Sequence, residues 1–251
     1  MNKKKSNMER KVHTGTLIIV DGLDGSGKST VIQILTDYLK VRGKNVFELK
    51  EYWKHYHGLP QPEELYDYDF IISAEPTYSL VGGAIRDEFI RQSKRKYSAF
   101  TTATAYALDR LILYKRIIIP LLEKGKTIIQ DRGVTTSIVY QPIQAEPLQL
   151  SKVLSLEGNK LAMQHRPDLL IIADIAPELC IERLDKRVDK KDNVIFENLK
   201  FQKKAYERFK SKWFAQLFTR RGSKVVYLDA SKTKEEIMSD AIKLYEEFCK
   251  K

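Results

Sequence analysis

Short, nearly continuous apolar runs alternate along this chain with longer stretches in which apolar residues recur every three or four positions. The short runs predict strands at 16–21, 45–50, 69–75, 127–131, 168–174 and 224–229, each bounded by turn residues. The longer stretches predict helices. In 29–41, Ile32, Leu35 and Leu39 fall on one side at helical spacing; 98–124 carries Leu108, Leu111, Ile112, Ile117 and Ile118 and stops near Gly125. Segment 194–218 is amphipathic through Phe196, Leu199, Phe201, Tyr206 and Phe209, and a helix at 233–250 closes the chain. Alternating strands and helices imply an α/β fold, a mostly parallel sheet with helices on both faces. One stretch breaks the alternation: 51–68, EYWKHYHGLPQPEELYDY, with Pro, Gly and four tyrosines. It reads as an insertion, a surface loop or a small lid, and the surface loop is favoured because Pro and Gly interrupt regular structure.

Composition narrows the class. At 251 residues, with 31% charged and 43% hydrophobic residues, the chain is globular rather than disordered. A single domain is expected over 14–251, preceded by a basic tail at 1–13. No apolar stretch approaches membrane-spanning length. The start, MNKKKSNMERK, leads into no signal-peptide core and reads as a solvated, frayed tail. Cys180 and Cys249 form no metal or disulfide pattern, which fits a reducing cytoplasm. The net charge of +11 admits two readings, nucleic-acid binding or a site for two anionic nucleotides with a basic surface.

The candidate chemistry begins directly after the first strand. Residues 22–30 read GLDGSGKST, the phosphate-binding pattern GxxxxGK[ST] set between a strand and a helix. Gly22, Gly25 and Gly27 let the backbone curl so that successive N–H groups of Leu23, Asp24, Ser26 and their neighbours face a polyphosphate. Lys28 reaches the β- and γ-phosphates, Ser29 can ligate Mg²⁺, and the helix entered at Thr30 directs its positive end at the same anion.

Two further segments lie where ligands sit in open α/β sheets, near strand ends, and a third lies on a predicted helix. In TIIQDRGVTTSIVYQ (127–141), Asp131 can hold Mg²⁺ through water and Arg132 can fork onto phosphate; the bland alternative is a surface ion pair. In SAEPTYSLVGGAIRDEFIR (73–91), a strand runs into Glu75-Pro76 and a glycine pair opens a helix carrying Arg86. In YALDR (106–110), Tyr106 and Arg110 are four apart on one helix face; they suit a base and a phosphate, although a core tyrosine and a solvated arginine are the commoner explanation.

Taken in order, DGLDGSGKST, EPT with its following IR, ALDR, DRG-TTS-YQ, RPDLLIIADIAPELCIERL, the 192–201 segment and YLDAS-EEI resemble the thymidylate kinase family of P-loop nucleoside monophosphate kinases, over about residues 14–248. The DR-x(3)-TS-x(2)-Y arrangement is the specific element. The resemblance implies a three-layer P-loop NTPase fold and transfer of the γ-phosphate of ATP to dTMP, giving dTDP for dTTP synthesis, with Mg²⁺ as cofactor. It implies that Gly22–Thr30 hold ATP phosphates and metal, and that Asp24 contacts the acceptor 3′-hydroxyl or the metal. By the same resemblance Glu75, Pro76 and Arg86 line the acceptor. Tyr106 stacks on the base, Arg110 reads a base carbonyl and Ser137 hydrogen-bonds the base. Tyr140 crowds the sugar 2′ position, Arg132 binds the acceptor phosphate with Asp131 near the metal, and Arg183 packs on adenine under the 229–231 turn. It also implies a homodimer through the 98–124 helix.

Some family members carry an arginine in the phosphate loop; here Gly25-Ser26 stands there, so the cation must come from elsewhere, and the resemblance places a lid at 183–193 whose run RLDKRVDKK is either its source or simply a solvated charged face. Arg187 is the first choice, with Lys190 or Lys191 as alternatives. Other departures are Ala74 before Glu-Pro, Asp21 for the usual Glu, Gly133 for the aromatic after Asp-Arg, and the 51–68 insertion. They cluster at the acceptor site. Two other readings therefore stand beside dTMP phosphorylation: a P-loop kinase for another monophosphate or a deoxynucleoside, and an ATP-switched nucleic-acid-binding protein supported by the charge and the tyrosine-rich insertion. Arg132 disfavours a nucleoside acceptor, and nucleic acid leaves the DR segment without a role.

Overall fold

The computed structural model describes residues 13–91, 95–186 and 198–250. Its sheet consists of β1 (Thr16–Gly22), β2 (Val46–Glu48), β3 (Phe70–Ala74), β4 (Thr127–Asp131), β5 (Leu169–Asp174) and β6 (Lys224–Asp229). They pair in the order β2-β3-β4-β1-β5-β6, every pair parallel. Successive side chains of a strand point to opposite faces, so the sheet has a core on each side. Leu17, Ile19, Ile128 and Leu170 enter one, and Ile18, Val20, Ile129, Leu169 and Ile171 the other. Burial on both faces is why the central strands read as unbroken apolar runs.

The second face is covered by helices Lys28–Val41 and Lys234–Cys249, which contribute Val31, Leu35, Ile237 and Ala241 to its core. The first face is covered by the long helical stretch from Ala99 and by the 199–219 region. That stretch is continuous, as the periodicity predicts, but changes pitch: Ala99–Leu113 passes through a π-helical turn at Tyr114–Ile118 into Ile119–Glu123. Pro120 explains the turn, since its ring cannot tolerate the carbonyl four residues earlier in α geometry.

Three sequence expectations need correction. The second strand ends at Glu48 rather than 50, because Leu49 starts a helical turn, Leu49–Tyr52, that buries its side chain. The 194–218 stretch is not one helix. Ser211 adopts an extended conformation between Leu199–Lys210 and Lys212–Thr219, and its hydroxyl accepts the Phe214 N–H at 3.4 Å, capping the second helix; 194–197 lie outside the described residues. The 51–68 insertion is not a surface loop. Trp53, Leu59 and Leu65 are buried in the first-face core, and Arg116 donates to the carbonyls of Leu59 and Pro60 at 2.9 and 3.1 Å. Leu65→Ala is therefore expected to destabilise the protein by about 3 kcal/mol, read by urea unfolding; a change within about 0.5 kcal/mol would restore the surface-loop reading.

Of the tail, only His13 is described; it is half-buried, and its ring stacks on His165 with centroids 4.6 Å apart. Among the described residues no helix is long and apolar enough to cross a membrane.

Candidate active site

The loop between β1 and helix Lys28–Val41 curls as its glycines require. Gly22, Gly25 and Gly27 have φ of 143°, 82° and 92°. At Gly25 a Cβ would stand 2.5 Å from the Cys180 carbonyl oxygen, so only glycine fits. No side chain caps the helix at Gly27, which leaves the N–H groups of Lys28 and Ser29 to a ligand, while that of Thr30 bonds to the Gly27 carbonyl at 3.0 Å. Lys28 is buried, its ammonium folded back onto the carbonyls of Leu23 at 2.5 Å and Gly22 at 3.4 Å. Burial, then the nearby Arg132, pull its pKa below the ordinary lysine value. Ser26 is buried and its N–H bonds to the Leu23 carbonyl, while Thr30 follows in the first helical turn.

Beside the loop stands Arg132, at the end of β4 with φ of 64°, a left-handed conformation uncommon outside glycine. It is not in a surface ion pair with Asp131. Its guanidinium bonds to Asp24 in the loop and lies 3.7 Å from Asp21 at the end of β1. Asp21 is fully buried and accepts from the hydroxyls of Thr135 and Thr136 and from the Gly22 N–H at 2.8 Å. Burial raises the Asp21 pKa. Burial also pushes Asp24 upward, but Arg132 and Lys28 outweigh it and hold that carboxyl below its usual range. Tyr140, whose phenol burial keeps protonated, donates to Asp24 at 3.1 Å. One guanidinium thus ties the phosphate loop to the helix Val134–Tyr140.

Farther along the cleft, Glu75 is gripped by Arg110 through Nε at 2.7 Å and Nη2 at 2.6 Å, and accepts from Gln130 at 3.0 Å. Arg110 also donates to Asn159. Only 2% of Arg110 is exposed, which overturns the solvated reading. Tyr106, Ser137, Arg86 and Pro76 line the same cleft with Arg110 and Arg132. Arg86 donates to the carbonyls of Thr77 and Pro76 and lies over the Tyr78 ring at 3.6 Å. Thr77 is fixed by Asp109 through its N–H at 2.8 Å and its hydroxyl at 2.7 Å.

Burial pushes the Glu75 carboxyl from its ordinary 4.5 up to about 7, against the pull of Arg110. A carboxyl whose folded pKa stands above its unfolded value contributes stability that is fully present below the unfolded value and is lost as pH rises through the folded one. The melting temperature is therefore expected to fall between about pH 4.5 and about pH 7 through this group, and Glu75→Gln to flatten that slope. Parallel profiles for the two proteins would remove Glu75 as the cause.

The Ser29 hydroxyl lies 3.5 Å from Asp131 Oδ2, and Asp131 Oδ1 is buried without a hydrogen-bond partner. A hydroxyl beside an unsatisfied carboxylate oxygen suits a hard cation that takes its other ligands from phosphates and water. At the far side of the loop, Arg183 stands next to Gly27 and donates to the Ala230 carbonyl at 2.9 Å. Asp229 accepts from Ser231 N–H and hydroxyl, which shapes the 229–231 turn. Arg187, Lys190 and Lys191 lie outside the described residues.

Sequence reasoning missed Gln130, Asn159 and the Thr135–Thr136 pair as parts of the site. No local signal marks Gln130 or Asn159. The two threonines were visible in the DRG-TTS motif, but their partner, Asp21, is more than a hundred residues away.

A sequence model of the family described as thymidylate kinase matches residues 63–241. The chain is 30% identical over 237 residues to the thymidylate kinase of Caldicellulosiruptor saccharolyticus, covering 94% of this chain and 98% of that protein. It is 29% identical over 229 residues to the thymidylate kinase of Lactobacillus helveticus, covering 91% and 94%. It is 32% identical over 196 residues to that of a Thermoanaerobacter species, covering 78% and 82%.

Proposed function

The chain belongs to the thymidylate kinase family, and from that premise we propose that it transfers the γ-phosphate of ATP to dTMP, giving dTDP and ADP for dTTP synthesis. The observation that carries this is the junction of a phosphate loop with a cationic acceptor cleft through Arg132, which holds Asp24 in the loop and faces the cleft that Arg86, Arg110 and Tyr106 line.

Transfer between two anions needs charge neutralisation and in-line positioning more than proton chemistry. The loop amides and Lys28 take the donor phosphates; Lys28 exchanges the Leu23 and Gly22 carbonyls for phosphate oxygens. Arg132 presents its guanidinium to the acceptor phosphate, and Asp24 keeps it aimed. Tyr106 stacks on thymine, Arg110 and Ser137 read its edge, and Tyr140 closes the sugar side. Arg110 can do so because Glu75 and Asn159 fix its guanidinium plane in advance. Arg183 and the 229–231 turn flank adenine. Ser29 and Asp131 are the residues that would hold Mg²⁺, which would supply charge neutralisation to the donor phosphates. The remaining cation comes from Arg187, or Lys190 or Lys191, in the 183–193 lid.

Phe100 and Leu108 are exposed apolar residues on helix Ala99–Leu113. They support a homodimer through that helix. The free thiols of Cys180 and Cys249 suit a cytoplasmic setting.

A coupled ADP-release assay with ATP and Mg²⁺ across dTMP, dUMP, dCMP, dGMP, UMP and thymidine tests the reading. Preference for dTMP is expected. Preference for another monophosphate would keep the reaction class and move the acceptor. No turnover, with salt-dependent binding to oligonucleotides instead, would favour the nucleic-acid reading.

A further inference from the structure

Lys50 lies two residues past the end of β2, next to the buried Leu49, and its side chain lines the cleft. The cleft holds more positive than negative charge: Lys28, Lys50, Arg86, Arg110 and Arg132 against Asp24, Glu75 and Asp131. Four of the five cations are engaged. Lys28 bonds to the Leu23 carbonyl, Arg86 to those of Thr77 and Pro76, Arg110 to Glu75 and Asn159, and Arg132 to Asp24. Among the described cations of the cleft, Lys50 alone has no carboxylate or carbonyl partner. Its ammonium lies 5.6 Å from the Tyr78 ring centre, and the Arg86 guanidinium lies 3.6 Å from the same ring. Both cations thus stand at the Tyr78 wall of the cleft, where their charge favours a bound anion.

The segment that sequence alone leaves as an insertion sets this arrangement. Trp53 packs on Tyr78 with ring centres 5.9 Å apart, and the His57 carbonyl accepts the N–H of Leu80, whose φ is 47°. The turn carrying Tyr78 is thereby held against the lysine. Ala74, at the end of β3 on the same wall, carries no charge. Lys50 also falls outside the 63–241 stretch that the family model matches.

We propose that Lys50 is a further acceptor-binding residue, its ammonium engaging the phosphomonoester dianion of the nucleoside monophosphate, with Trp53 and Tyr78 as positioning residues. The proposal deepens the kinase reading above and rests on it. The test uses the full chain as wild type, Lys50→Met and Lys50→Arg, with calorimetric binding of dTMP and of thymidine, and steady-state kinetics in ATP. Lys50→Met is expected to weaken dTMP binding about five- to tenfold and thymidine binding by less than about twofold, with KM for ATP unchanged. Lys50→Arg should recover most of the loss, and added salt should narrow the gap between wild type and Lys50→Met. An equal loss for dTMP and thymidine would make Lys50 merely structural, and no loss for either would make it a solvated surface charge; both overturn the proposal. Wild-type turnover decides the kinase reading separately. If the wild type prefers another monophosphate, that nucleotide and its nucleoside serve as the pair; if it binds none, both readings fall.

Discussion

Lys28→Ala is expected to lower kcat by about a thousandfold or more while the protein stays folded. A thousandfold corresponds to about 4 kcal/mol of transition-state stabilisation, the scale of removing a preorganised charge from a water-poor site. Among the described residues Arg132 and Arg183 do not replace it: Arg132 is committed to Asp24, and Arg183 to the Ala230 carbonyl. The fold tolerates the loss for an electrostatic reason. Lys28 is desolvated and stands near Arg132, so its charge is already disfavoured there, and removing it relieves a like-charge contact. Lys28→Arg keeps the charge but cannot place a compact ammonium in the loop, and is expected to recover little. Single-turnover transfer and a circular-dichroism melt, run side by side, check both halves. Near-normal turnover in a folded variant would show that the loop does not hold the donor phosphates.

Arg132→Met is expected to damage both stability and acceptor binding. It leaves Asp21, fully buried, and Asp24 without the guanidinium that pairs with them, with Lys28 as the remaining nearby cation. Breaking a buried ion pair from one side destabilises by about 3–5 kcal/mol. The pH dependence carries the signature. In the variant both carboxyls sit in a low-dielectric site with Arg132 gone, so their folded pKa values rise. Groups with raised folded pKa values stabilise the protein below their unfolded pKa and lose that contribution as pH rises through the folded one. The variant's melting temperature should therefore climb toward that of the wild type as pH falls through the carboxyl range. The acceptor half is read separately, at a pH where the variant is folded: dTMP should raise the melting temperature of the wild type and not of the variant. A constant stability gap across pH would mean that Arg132 acts by packing alone, and undiminished protection by dTMP would remove it from the acceptor site.

Legibility in the sequence followed the range of each interaction. β1, β4 and β5 could be read because strands covered on both faces need apolar residues at nearly every position, and the helices on either side because burial of one face repeats every three or four residues. The phosphate loop was legible because its geometry is made by consecutive residues, Gly22 to Thr30. Segment 51–68 was not: Trp53, Leu59 and Leu65 enter the core from irregular backbone, so their spacing carries no period. The break at Ser211 was hidden because the apolar spacing continues across it, and only the extended backbone and the new cap reveal two helices.

The acceptor cleft divides in the same way. Sequence alone determined the residue types of the chemistry, a lysine and a hydroxyl at a glycine turn, an arginine at a strand end, an aromatic and an arginine four apart. The tertiary structure decided their partners. Glu75, Arg110, Gln130 and Asn159 come from four separate segments, and Asp21 meets Arg132 and Thr136 only because β1 and β4 are neighbours in the sheet. Burial pressure and helical or strand period act on neighbours along the chain and leave a local pattern. Charge pairing in a cleft acts through space between distant segments, and leaves a trace in the sequence only after the fold has brought those segments together.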